Sequence, residues 1–235
     1  LNNGKDGGIA RVATLKKKYV QENKNTLLLM AGDFLSPSVY NSLKYKGESI
    51  KGKQMVEALN AAGLDIAIFG NHEFDIKEAE LQQRINESSF QWISSNTFHK
   101  KKDGKISPFA KTNEGKPEDP FPKTFIKTFT DADGTTAKIG FFAVTLPFNK
   151  AAYVHYEDAL ATAKKSFSYL IDSVDAVIAI THQTIEEDRI LASEIPGLSL
   201  IMGGHEHDQH FEKHWDIYIS KAMANARSAY VHTLN

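Results

Sequence analysis

Seven polar residues stand where apolar runs stop. "LLLMAGD" stops at Asp33, "DIAIFGNHEFD" at Asn71, His72 and Asp75, "AVIAITH" at His182, and "LSLIMGGHEH" at His205 and His207. Imidazole, carboxylate and carboxamide groups without a thiolate suit zinc, manganese, iron, nickel or cobalt rather than copper(I) or iron–sulfur. A single carboxylate among neutral ligands leaves a divalent site net positive, which favours an anionic substrate. Two such ions about 3.5–4 Å apart can clamp a phosphoryl group and deliver a hydroxide in line. Residues two apart in an extended segment point the same way, so His205 and His207 can face one pocket and reach two different ions. The glycines at 32, 70, 203 and 204 fit places where backbone must come close to a centre.

Taken singly, each of these residues has a plainer explanation. An Asp after Gly is usually a turn residue or a helix cap. Isolated histidines are usually surface or hydrogen-bonded groups, which is the reading of His99, His155, His210, His214 and His232. Four separate strand ends carrying ligand chemistry are not explained in that way.

The elements that must position these groups follow from the rhythm of the chain. Short, continuous apolar runs at 26–31, 65–69, 139–146, 175–180 and 198–202 read as strands buried on both faces. Between them lie helical patterns. Ile9, Val12, Leu15 and Tyr19 share one face. Met55, Leu59 and Ala62 share another and are followed by Gly63 as a stop. Leu160, Ala163, Phe167 and Leu170 make a third. Strand and helix in alternation predict an α/β architecture, and in open α/β sheets ligands bind beyond the carboxyl ends of the strands. Residues 124–145 read as a β-hairpin around Asp133–Gly134. Residues 100–122 hold four of the seven prolines and much lysine, and read as a mobile surface loop. The first residues, "LNNGKDGG", read as a polar loop.

The bulk composition excludes several function classes. Net charge is −1 in 235 residues, which gives no basis for a nucleic-acid or anionic-membrane partner. No apolar run approaches the roughly 20 residues of a membrane span. There is no cysteine, hence no disulfide, thiolate nucleophile or cysteine zinc site.

"GD" at 32–33, "GNHEFD" at 70–75, "TH" at 181–182 and "GGHEH" at 203–207 resemble the motifs of the calcineurin-like metallophosphoesterases. "GGIARVATL" (7–15) and "KAMANARSAYVHTL" (221–234) resemble the branch that holds 5′-nucleotidases, UDP-sugar hydrolases and 2′,3′-cyclic-nucleotide phosphodiesterases. The resemblance implies a two-sheet αββα sandwich and a metal-dependent phosphoesterase that hydrolyses nucleotide phosphate esters with a metal-bound hydroxide. It implies that Asp33 bridges two divalent ions, that Asn71, His182 and His205 complete one site, and that His207 serves its neighbour. His72 would contact the transferring phosphoryl group, with Asp75 orienting it. No further organic cofactor is implied. An exported, periplasmic or cell-surface setting is implied by the resemblance alone.

Two departures shape the expected domain organisation. The family's first motif, Asp-x-His, supplies the remaining ligands of the second ion, and residues 1–6 do not contain it. "DQH" at 208–210 has the letters but follows the last motif. The branch also carries a C-terminal domain that stacks the nucleobase. Residues 1–235 are therefore expected to form the catalytic domain, without its first strand or that C-terminal partner and with an incomplete second metal site. Two readings compete with a 5′-nucleotidase-like hydrolase: a cyclic-nucleotide phosphodiesterase, UDP-sugar hydrolase or related ester hydrolase of the same superfamily, and a non-catalytic metal-binding or interaction domain.

Overall fold

The computed structural model describes residues 4–234. Leu1–Asn3, part of the expected opening loop, lie outside the described residues; residues 5–8 form a turn and bend before the first α-helix. Five α-helices follow in chain order: α1 (Ile9–Glu22), α2 (Lys53–Ala62), α3 (Glu78–Glu87), α4 (Ala159–Leu170) and α5 (Ile185–Glu194).

Two sheets carry the site. The smaller has three parallel strands, Leu29–Met30, Ile66–Ile68 and Gln91–Ile93, in that order. The larger has six. Thr136–Thr145, Ala176–His182, Leu200–Gly203 and Ile217–Lys221 run parallel, and Thr124–Thr130 and His210–His214 close the two edges antiparallel. The expected hairpin is present, with Thr124 opposite Phe142 and Thr130 opposite Thr136.

The continuous apolar runs are explained by which side each residue faces. Successive strand residues point to opposite faces. Phe141, Ile178, Ile180 and Leu200 pack against Ile66, Ile68 and Ile93 of the small sheet. Phe142, Val144, Val177, Ala179 and Ile201 pack outward against Ala163 and Leu170 of α4 and Leu191 and Ala192 of α5. Ala67 and Phe69 turn away from the large sheet, towards Val56 and Leu59 of α2 and Leu81 and Ile85 of α3. The result is helices, sheet, sheet, helices: the αββα sandwich.

The segment 100–122 departs from its expected mobile loop. Residues 113–120 are largely exposed, but Phe109 and Phe121 are buried, at 3% and 4% exposure. Phe121 stacks on Trp92 with ring centroids 5.6 Å apart, and Phe109 packs edge-on to Phe69 at 5.0 Å. Two aromatic rings supply the apolar burial that the lysines and prolines around them cannot.

A cavity of about 480 Å³ lies between α1, the free edge of Leu29–Met30 and the inner face of the large sheet. Val12 and Leu15 of α1 look into it, opposite Leu29, Ile139, Phe141 and Met202.

Candidate active site

Four strand ends converge at the carboxyl edge of the sandwich. Asp33 follows Leu29–Met30, Asn71 follows Ile66–Ile68, and His182 ends Ala176–His182. His205 follows Leu200–Gly203 on the neighbouring strand of the same sheet. Asp33, His182 and His205 each offer one ligand atom, and these lie within 4.8 Å of one another. His182 Nε2 is 3.0 Å from Asp33 Oδ2 and 3.2 Å from Asn71 Oδ1. His182 and His205 rings meet edge to face at 5.3 Å. His182 Nδ1 is 2.6 Å from the carbonyl of Ala31, which as acceptor places the proton on Nδ1 and leaves Nε2 facing Asp33 and Asn71.

Asp33 and His205 both sit in the left-handed backbone region, at φ 56° and φ 78°. Each such residue costs about 1–3 kcal/mol and persists where its surroundings over-determine it. For Asp33 the surroundings are Glu73. This fully buried carboxylate accepts the backbone N–H groups of Asp33 (2.8 Å), Phe34 (2.8 Å), Leu35 (3.1 Å) and Gly70 (2.6 Å), so it staples the two motif loops together. His72 N–H adds a bond to Asp33 Oδ1 at 2.8 Å. The backbone approach is close enough that a Cβ at Gly204 would collide with the carbonyl of Ala31.

The charges follow from this packing. Burial works to raise the Asp33 carboxyl, but hydrogen bonding and attraction to His182 carry it below its ordinary range. Burial works to lower His182, and Asp33 outweighs it, so His182 rises. Burial, then repulsion from His182, lowers His205. Burial, aided by the charge of Asp33, pushes Glu73 up against the pull of its N–H donors.

Beside this group lies the second expected pair. His72 Nδ1 is 2.7 Å from Asp75 Oδ2, which leaves Nε2 unengaged on a ring about one-third exposed. Asp75 is held in turn by Ser36 Oγ at 3.0 Å and by the side-chain amide of Asn149. His207 is exposed and outside the Asp33–His182–His205 group; its carbonyl accepts from Ala224 N–H. Of the remaining histidines, His99 pairs with Glu78, His214 with Ser193 and His232 with Ser220.

Residues 5–209 match the Calcineurin-like phosphoesterase family. The chain belongs to that family. It is 26% identical over 208 residues to the 5′-nucleotidase of Bos taurus, covering 85% of this chain and 32% of the relative. It is 27% identical over 206 residues to the snake venom 5′-nucleotidase of Gloydius brevicauda, with the same coverage of 85% and 32%. It is 26% identical over 228 residues to the trifunctional nucleotide phosphoesterase protein YfkN of Bacillus subtilis, covering 86% of this chain and 15% of that protein. The crystal structure of YfkN superposes with a TM-score of 0.69 at 21% identity, over 94% of this chain and 75% of that one. The chain thus spans about a third or less of the length of these curated relatives.

Sequence reasoning named no role for Glu73, Ser36 or Asn149, nor for a second buried network behind the histidines. Lys221 and Asp188 are wholly buried and 2.9 Å apart. Their positions carried a signal. Asp188 shares a helical face with Ile185, Leu191 and Ala192, and Lys221 shares a strand face with Ile217 and Ile219, so both charged residues stand in core register.

Proposed function

We propose that the chain is the catalytic domain of a divalent-metal-dependent phosphoesterase acting on nucleotide phosphate esters. One observation carries this reading: Asp33, His182 and His205 bring their donor atoms within 4.8 Å, with the Asn71 carboxamide against the same imidazole. Two nitrogen and two oxygen donors, with one anionic group among them, fit a zinc-like or manganese-like ion. Asp33, Asn71, His182 and His205 would hold one ion, and Asp33 with His207 would contribute to a second. Bound there, divalent ions supply positive charge to phosphoryl oxygens and lower the pKa of water.

The chain's own residues do the rest. The Asp75 carboxylate engages His72 Nδ1 and turns Nε2 outward, where it donates to a phosphoryl oxygen as charge builds in the transition state. Ser36 and Asn149 hold Asp75 in that orientation. The likeness to nucleotidases, including one from venom, supports a nucleotide substrate and a setting outside the cytoplasm.

The test is phosphate release by the full-length protein from nucleoside 5′-monophosphates, 2′,3′-cyclic nucleotides and UDP-sugars, with Mn²⁺ or Co²⁺ and with EDTA. Hydrolysis of 5′-monophosphates that EDTA abolishes is the expected result. Preference for a cyclic nucleotide or a UDP-sugar moves the chain to that neighbouring activity. No turnover of any substrate with metal bound makes it a binding module.

A further inference from the structure

His205 is held from both sides by one nitrogen. The Lys221 ammonium donates to the carbonyl of Gly204 at 2.8 Å, immediately before His205, and to Glu206 Oε2 at 2.7 Å, immediately after it. The same ammonium donates to the carbonyl of Gln183, immediately after His182. It is paired with Asp188 Oδ2 at 2.9 Å, and Asp188 Oδ1 accepts from Gln183 Nε2 at 3.0 Å. Glu206 also accepts the N–H of Ile185, the first residue of α5, at 2.8 Å. Every link in this network ends within one residue of a histidine of the site or on α5.

The chain is arranged to admit this side chain. Lys221 ends the strand beside Leu200–Gly203, with Gly203 as its register partner. A Cβ at Gly203 would stand 2.9 Å from both Lys221 Cε and Asp188 Oδ2. The first glycine of "GGHEH" therefore makes room for a lysine and its carboxylate, and the second lets backbone pass Ala31. A buried ammonium costs more to place than an apolar side chain of the same size, unless it is matched by well-placed partners. What this one obtains is a fixed geometry: His205 at φ 78°, with its ring against His182. Groups behind metal ligands orient them, and their loss typically weakens metal affinity about 10–100-fold.

We infer that Lys221, with Asp188 and Glu206, is a positioning unit that sets the separation of His182 and His205 and so the affinity of the chain for a divalent ion. It touches neither ion nor substrate. The inference rests on the metal-site reading above.

The test uses Co²⁺ alone, with affinity followed by calorimetry and site geometry by the visible absorption of the bound ion. Amide hydrogen exchange over 203–207 is measured on the metal-free protein. Lys221→Met combined with Asp188→Asn removes both charges while leaving Gln183 a partner. It is expected to weaken Co²⁺ binding about 10–100-fold, to change the absorption band and to speed exchange at 203–207. Glu206→Ala, at a partly exposed position, should move all three in the same direction by less. Leu170→Ala, in α4, lowers stability away from the site and should leave the Co²⁺ affinity and spectrum unchanged. Equal binding and equal spectra in the folded double variant and the wild type would overturn the inference while leaving the metal site standing. So would a Leu170→Ala effect as large as the double variant's at matched loss of thermal stability. If the double variant does not fold, Glu206→Ala decides, and an unchanged affinity there overturns the inference. A wild-type chain that takes up no Co²⁺ ends both readings.

Discussion

At the scale of single residues, the proposed site separates groups that would hold an ion from groups that would meet the substrate, although they adjoin in sequence. Asn71 and His72 are neighbours, yet Asn71 faces His182 and His72 faces Asp75. His72→Asn is therefore expected to leave metal content nearly unchanged and to lower kcat about 10²–10³-fold, the loss typical of one transition-state charge stabiliser. His182→Asn should lower metal content and activity together, with partial recovery in excess metal. Asp75→Asn should be milder than His72→Asn, since Ser36 and Asn149 still hold that side chain. Metal stoichiometry beside kcat for the three variants checks the assignment; loss of metal from His72→Asn would refute it. The Asp33–His182 pair also makes a prediction for the metal-free protein. Asp33 lies below its ordinary 3.8, so its contribution is present above that value and is lost as pH falls through the lowered one. His182 lies above its ordinary 6.5, so its contribution is complete below 6.5 and is lost as pH rises through the raised value. Urea midpoints of the metal-free chain should fall as pH rises above 6.5. Ligation needs a neutral imidazole, so added Co²⁺ should restore progressively more stability over that range. A metal-free midpoint that rises with pH there would contradict the pairing.

At the scale of elements, the polar residues at the strand ends are backed by buried charged groups. Glu73 joins the loop after Leu29–Met30 to the loop after Ile66–Ile68 through four backbone donors. Replacing it by Gln turns an acceptor into a donor facing N–H groups. Hydrogen bonds to charged groups contribute about 1.5–3 kcal/mol each, so Glu73→Gln should cost at least that much and weaken metal binding with it. Thermal unfolding and Co²⁺ titration measure the two; a stable variant that loses only activity would place Glu73 in the chemistry instead. The same contrast explains what was legible from sequence. Asp33, Asn71, His182 and His205 were readable because their types are rare at the ends of apolar runs. The buried strands were readable from runs apolar at every position, which place Phe141 and Phe142 on opposite faces, but their order in the sheets was not. Glu73, Asp188 and Lys221 were not readable by type, because such residues almost never lie fully buried. Asp188 stands in a run of three acids in the first turn of α5, where a helix favours negative charge whether or not it is solvated. Phe109 and Phe121 were hidden by their lysine- and proline-rich surroundings, although each ring reaches the aromatic cluster around Phe69 and Trp92.

At the scale of the whole molecule, the sandwich works as a frame whose two sheets each bring part of the site. Asp33 and Asn71 come from the small sheet, His182 and His205 from the large one, and the apolar layer of Ile66, Ile68, Phe141 and Ile180 fixes the distance between them. The contacts that close the site are remote along the chain. His182 meets Ala31 across 151 residues and Asn71 across 111. Local turns and helices form before such contacts, because closing long loops carries an entropic cost that only later packing offsets. An ion therefore has no complete set of donors until both sheets have docked. Its effect should fall on the lifetime of the folded chain rather than on the speed of reaching it. In stopped-flow measurements Co²⁺ is expected to slow unfolding and leave the refolding rate constant unchanged. A refolding limb accelerated by Co²⁺ would mean instead that the donors gather early. In kinetic terms the proposed metal centre would be a latch, closing last and governing how long the assembled sheets stay together.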